Sequence, residues 1–413
     1  SALLLLVVTG ASSVALLLAR ATFDREIPAE RQHLFYTAWL LTAAGLSGIL
    51  VSGDVFNIFV FMEIASLGGY ILISGGPRRQ ALLAAFRYLV LGTIGATFYL
   101  IGVGLMYMMT GTLNLADMAA RAGEVEGLRP VLVAAAFITT GLALKSAVFP
   151  LHVWLPNAYT FAPNAATAFI AACATKVFLY ILVRFEFVVF QGNLPGHVAN
   201  FSHFSMGLAI AAVLAASAIA IMQTDLKRLF AYSSVAQIGY ILLGASLMTV
   251  TGLTGGIVHM FNHALAKGTL FLAVTCLGLR YGGFALQDLA GAARRMPWTL
   301  AALVVAGLSL IGMPGTAGFV GKWYLVLGAL ELGPVGALLI APLLIGSLMA
   351  VFYVWKVVEV AYFGRAPVPV ERHEAPWWML VVLWGAALAN VWFGLRPGIP
   401  LELAGAAARL LMH

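Results

Sequence analysis

Apolar residues run along this chain in long stretches, separated by short segments where charge, glycine and proline collect. Twelve such stretches fall at roughly 1–19, 34–52, 54–74, 82–109, 130–149, 163–187, 202–222, 227–248, 253–279, 297–330, 335–363 and 377–395. Most are about twenty residues long, the length that an α-helix needs to cross the hydrocarbon core of a bilayer. None shows the short alternation of polar and apolar positions that marks a membrane β-barrel strand. The pattern predicts an all-α, multi-pass membrane protein of about twelve helices. Two stretches carry internal breaks. One leads into "FPLHVWLP", with Pro150 and Pro156, and the other contains "GMPGTAG", with Pro314 between Gly312 and Gly315. Proline removes a backbone donor, so a helix broken at membrane depth must line protein or water.

Composition agrees with this reading. Of the 413 residues 62% are hydrophobic and 9% are charged, against about 25% charged in soluble domains. The formal charge of +7 is an orientation signal and does not point to nucleic acid. Thirteen cations (Arg20, Arg25, Arg31, Arg78, Arg79, Arg87, Lys227, Arg228, Arg280, Arg294, Arg295, Arg365 and Arg372) fall on one alternating set of connections, and five (Arg121, Arg129, Arg184, Arg396 and Arg409) on the other. The positive-inside rule places the first set in the cytoplasm, with the multi-pass chain in a prokaryotic plasma membrane. Cys173 and Cys276 both lie in apolar stretches and read as small core residues. The chain starts at Ser1 and runs straight into "ALLLLVV", which suggests processing or a missing preceding segment and shows no cleavable signal peptide.

The breaks also suggest an internal repeat. The expected division is an N-terminal helix and loop (1–33), a first five-helix unit (34–187), a second (202–363), and a C-terminal helix and tail (377–413). An odd number of spans per unit inverts the second copy relative to the first, as in many ion transporters. Lys145 and Lys322, each beside a break, are 177 residues apart.

Lysine usage is the most informative feature. There are six lysines against seventeen arginines, and five of the six (Lys145, Lys176, Lys267, Lys322 and Lys356) lie inside apolar stretches. Arginine keeps its proton at any biological pH, whereas lysine can release it when desolvated. A charge at mid-bilayer costs at least about 2.5–3.5 kcal/mol, so each lysine needs a reason. Lys356, with Glu359, lies near a helix end and could reach the interface by snorkelling. The others, with the lone mid-stretch acid Glu63, suggest a chain of titratable groups. Glu63 is expected to pair with Lys145, a static salt bridge being the plainer alternative. His259, His263 and Lys267, spaced four apart, form one stripe on an apolar helix. A proton relay accounts for that stripe, with a structural hydrogen-bond network as the alternative. A zinc site on His259 and His263 would need further ligands, and no Cys, Asp or HExxH glutamate stands nearby to supply them.

Five segments in order carry a resemblance: "SGDVFNIFVFMEI", "KSAVFPLHVWLPNAYTFAPNAATAFIAACATK", "TDLKRLFAYSSVAQIGYILLG", "HMFNHALAKGTLFL" and "GMPGTAGFVGK". Together they resemble the antiporter-like subunit family, which occurs in Mrp-type Na+/H+ antiporters, membrane-bound hydrogenases and respiratory complex I. "GDVFNIFVFMEI" is most similar to the D subunit of Mrp antiporters and its hydrogenase counterpart. The resemblance implies fourteen helices with inverted five-helix repeats, so the family's first two helices are expected to be missing here. Carried over by motif, Glu63 matches the family's essential glutamate, Lys145 its partner on the first broken helix, and Lys176 the bridging lysine. His259, His263 and Lys267 match the polar stripe, Lys322 the terminal lysine of the second broken helix, and His152 a structural or gating histidine.

This sequence departs from the family in three places. Asn157 stands where Asp is usual, Gln237 where many members have His, and Ala266 where a bulky residue is usual. The absence of a long lateral helix after residue 395 points away from the most distal complex I subunit. The implied function is proton translocation in a multisubunit Na+/H+ antiporter, with other membrane subunits as partners, H+ and Na+ as the ions, and no cofactor. Alternatives are a proton-pumping subunit of a redox-driven complex and, from another class, a membrane metalloenzyme with a His259/His263 metal site. A purely structural scaffold fits the intramembrane lysines least.

Overall fold

A computed structural model describes residues 1–125, 128–190, 197–365 and 373–412. These residues are almost entirely helical. In chain order the helices are α1 (Ala2–Glu26), α2 (Ala29–Val51), α3 (Val55–Ser74), α4 (Gln80–Thr110), α5 (Leu115–Ala122), α6 (Leu128–Lys145), α7 (Trp154–Phe161), α8 (Asn164–Arg184), α9 (His197–Ala211), α10 (Ser217–Met222), α11 (Leu226–Ser246), α12 (Val250–Gly278), α13 (Ala292–Arg295), α14 (Pro297–Ile311), α15 (Ala317–Leu330), α16 (Gly333–Val358), α17 (Trp377–Leu395) and α18 (Gly398–Met412). Ten helices among the described residues are long and apolar enough to cross a membrane. The other two expected stretches are the 18-residue α6 and the broken pair α14–α15. All twelve apolar stretches are therefore helical, and the chain is a multi-pass membrane protein.

Burial sorts the helices into inner and outer ones. The spans built on α8 and α11 are each 94% buried, whereas those on α1 and α17 are 28% and 22% buried. Inner helices lose contact with lipid and so can carry polar groups, which is where most of the candidate residues lie. The long α12 packs against α8, α11, α14 and α15 and so holds the inner group together. At the α11–α12 crossing the backbones nearly touch, since a Cβ on Gly244 would lie 2.6 Å from Gly256 Cα. Gly244→Ala is expected to destabilise the fold by about 1–3 kcal/mol, the usual cost of overpacking, read as a lower thermal midpoint in detergent.

The two halves share the same joint. Asp54, the N-cap of α3, pairs with Asn114, and Asp225, the N-cap of α11, pairs with Ala285. The backbone bonds also correspond: Val55 N donates to Leu113 O and Leu115 N to Gly53 O, as Leu226 N donates to Phe284 O and Leu286 N to Thr224 O. Both aspartates cap through the backbone N–H three residues on.

Two features differ from expectation, and a third fills in a role the sequence left open. Residues 398–412, expected as a tail, form α18, which packs on α12 and buries Ala404 and Ala408. Lys227, counted with the loop cations, is 3% exposed at the start of α11. Lys356 Nζ donates to the Ile221 and Gln223 carbonyls at 2.9 Å each, satisfying the end of α10.

Candidate functional site

The first cluster forms where α6 ends. Lys145 is its last residue and is fully buried. Its Nζ donates to Glu63 Oε1 at 2.9 Å and to Ser66 Oγ at 2.7 Å, both on α3. Glu63 keeps 26% of its side chain exposed, so this buried cation is paired with an acid that solvent or a neighbouring group can reach. Beyond Lys145 the chain loses helical geometry until α7. Trp154 Nε1 donates to the Leu144 carbonyl at 3.0 Å, which also accepts from Ala147 N at 3.2 Å, so the start of α7 is tied to the end of α6. The expected Glu63–Lys145 contact is thus present.

Lys176 lies mid-way along α8 with no exposure, and its Nζ donates to the Ala171 carbonyl. It hydrogen-bonds no other candidate residue, but α8 packs directly against α12, which carries His259, His263 and Lys267. Those three lie on one face, as their spacing requires. The His259 and His263 rings are nearly parallel, with centroids 6.4 Å apart. Neither ring nitrogen of His263 has a hydrogen-bond partner among the described residues, and His259 Nδ1 also lacks one.

The facing wall comes from α11, where Ser233, Gln237 and Tyr240 recur at helical spacing. Lys267 Nζ donates to Ser233 Oγ at 2.5 Å and to the Phe230 carbonyl at 2.7 Å. His259 Nε2 lies 2.8 Å from Gln237 Oε1. Tyr240 packs its ring 4.4 Å beneath Lys322 Nζ and donates to the Leu343 carbonyl at 3.0 Å. Ser233 and Tyr240 were not among the sequence candidates. A polar residue every three or four positions was the available signal, but serine and tyrosine are also common in ordinary helix contacts.

Lys322 closes the row. It stands on α15 and reaches back across the second break to the end of α14. There its Nζ donates to the Ile311 carbonyl at 2.8 Å, to Leu310 O at 3.3 Å and to Ser347 Oγ at 3.0 Å. Gly312, at φ +89°, ends α14, and a Cβ there would press within 2.9 Å of Lys322 Cδ. The break therefore supplies both the unbonded carbonyls and the space that this lysine uses. His152 lies in the first break, stacked on Phe149 and edge-on to Tyr232 of α11.

The arrangement is a set of clusters rather than one continuous hydrogen-bonded chain: Glu63–Lys145–Ser66, then Lys176, then the α11–α12 stripe, then Lys322 with Tyr240 and Ser347. Among the described residues, Lys145 is the single lysine paired with an acid. Lys176, Lys267 and Lys322 are held by carbonyl and hydroxyl oxygens, which can accept from an ammonium or from an amine. Such partners hold the side chain in place in either protonation state. Among the described residues no group of three or more His, Cys, Asp or Glu side chains could hold a metal ion. His259 and His263 therefore lack the further ligands that a zinc site needs.

These features define a class: a multi-pass membrane subunit with two broken helices and a buried row of lysine and histidine. Residues 52–350 match the family model described as NADH:quinone oxidoreductase/Mrp antiporter, transmembrane, and the chain belongs to this family. It is 45% identical over 345 residues to the NADH-quinone oxidoreductase N subunit of Desulforudis audaxviator, covering 84% of this chain and 68% of that one. It is 30% identical over 342 residues to the Na(+)/H(+) antiporter D subunit of Alkalihalophilus pseudofirmus, covering 82% and 68%. Among solved structures, it superposes on a chain of the Mrp complex of Dietzia sp. with a TM-score of 0.87 and 26% identity, over 99% of this chain and 84% of that one.

Proposed function

We propose that this chain translocates protons across a prokaryotic cell membrane as one subunit of a multisubunit complex. Two inverted units, 34–187 and 202–363, each contribute a broken helix to the path. The observation that carries the reading is the row of buried lysines whose partners tolerate both protonation states. Glu63 and Lys145 form the acid–base pair of the first unit. Lys176 passes charge across the boundary between units to His263, His259 and Lys267, and Lys322 exchanges the proton at the far end. A proton arriving at one group lowers the proton affinity of the next through Coulomb coupling, strong where the surroundings are poorly polarisable. The equivalent joints at Asp54/Asn114 and Asp225/Ala285 support the inverted division.

What drives the protons has two readings. Exchange against Na+ in an Mrp-type antiporter is supported by the antiporter relative and by the Mrp complex fold. Redox drive is favoured by the higher identity to the oxidoreductase relative, 45% against 30%. This chain would then act beside partner subunits that carry the electron carriers, since its two cysteines are separate, buried and free. The deciding measurement is proton flux into vesicles holding the assembled complex. Flux that requires a Na+ gradient supports antiport, flux that requires electron donor and acceptor supports redox drive, and no flux under either condition refutes the proposal.

A further inference from the structure

Gln237 of α11 and His259 of α12 meet between two buried helices. Both side chains are buried, and His259 Nε2 lies 2.8 Å from Gln237 Oε1. An amide oxygen can only accept a hydrogen bond, whereas a neutral imidazole donates through one nitrogen and accepts through the other. With Oε1 against it, Nε2 carries the ring proton. Turning the amide over would put that proton on Nδ1 instead. Nδ1 is buried with no hydrogen-bond partner among the described residues, and orphaned buried N–H groups are rare. A bond made at one ring nitrogen sets which nitrogen is protonated, so this contact selects the tautomer.

The place of Nδ1 gives that choice a consequence. It lies toward α15, since a Cβ on Gly321, the residue before Lys322, would come within 2.9 Å of it. The ring also packs beside Tyr240, centroids 5.6 Å apart, and Lys322 Nζ sits over the Tyr240 ring at 4.4 Å. Nε2 meets α11 at an amide oxygen, which is too weak a base to take up a proton. His263, one turn along α12, differs. Neither of its ring nitrogens is bonded among the described residues, so no such contact selects its tautomer.

We infer that Gln237 is a positioning residue for proton transfer, holding the ring proton of His259 on Nε2 so that the ring exchanges protons through Nδ1, on the side of α15. The inference rests on the proton-transport reading and adds a direction to one of its groups. On charging, the Nδ1 lone pair gains a proton and the Nε2–H bond to Gln237 is kept. On discharging, Nδ1 gives that proton back and the ring ends unchanged. An imidazole held in this way stores a proton and returns it on one side, whereas His263 can pass one across its ring.

The test uses the assembled complex in membranes, with its histidines isotope-labelled for nitrogen NMR. The His259 signals are those lost in His259→Gln, and their shifts on the neutral ring report which nitrogen bears hydrogen. The wild type is expected to carry it on Nε2. Gln237→Met keeps the side-chain length and removes the acceptor. The ring should then populate both tautomers, and proton flux in vesicles should fall about 10-fold or more, the scale of losing a group that orients a functional histidine. Gln237→Glu keeps an oxygen in that place and should keep hydrogen on Nε2. Hydrogen on Nδ1 of the neutral wild-type ring overturns the inference. So does a Gln237→Met complex whose tautomer is unchanged, or one whose tautomer changes while flux stays at the wild-type level. If Gln237→Met does not assemble, the wild-type and Gln237→Glu spectra carry the test. Failure of the wider reading is separate, because the wild-type complex would then show no proton flux whatever its spectrum.

Discussion

Lys145→Ala is expected to lower proton flux at least about 100-fold, the scale of losing a proton-transfer group, while the complex still assembles. The ammonium is the sole partner of Glu63 among the described residues and also bonds Ser66. Stranding a fully buried charge costs about 3–5 kcal/mol. Glu63, with 26% of its side chain exposed, can relieve that cost by taking up a proton or by hydration. Stability should therefore fall only modestly. Flux in vesicles, compared with yield and elution position of the complex, separates the two effects. If Lys145→Ala assembles and transports like the wild type, the bond is a static tie between α3 and α6.

Lys322→Arg should be as inactive as Lys322→Met, although it keeps the positive charge. Arginine can donate to the Leu310 and Ile311 carbonyls and to Ser347, but it does not release its proton at biological pH. The pair of variants distinguishes a fixed charge from an exchanging one. If the charge at the second break matters only for capping α14, arginine will retain flux and methionine will lose it. Should lysine serve as a proton carrier, both will fall by the same factor of at least about 100. Thermal unfolding should set them apart, since methionine leaves carbonyls at the end of α14 unbonded at a cost of about 1–3 kcal/mol and arginine does not.

These outcomes bear on why the row is built from lysine and histidine with neutral partners. An acid beside each lysine would lock each charge in place and resist transfer. Carbonyls released by the second helix break, carbonyls within α8 and α11, and hydroxyls from α11 and α16 instead supply acceptors without adding charge. The second break therefore has a chemical use beyond bending the chain.

The amino-acid sequence alone determined the spans, the two breaks and the identity of the buried bases. Length and hydrophobicity set what a bilayer accepts, and a lysine inside an apolar stretch is conspicuous for its cost. Three things depended on tertiary packing. Lys227 follows an N-cap aspartate in "TDLKR" and looks like an ordinary loop charge; the convergence of α7 and α8 on the start of α11 buries it. Ser233, Gln237 and Tyr240 are unremarkable neutral residues until the close glycine crossing at Gly244 and Gly256 sets α11 against the α12 stripe. Helix α18 offered too short an apolar run to read as a span, and its small residues fit because α12 lies beneath them. Local chemistry fixes which groups can exchange a proton; which of them meet depends on backbones approaching from distant parts of the chain, and no local pattern encodes that distance.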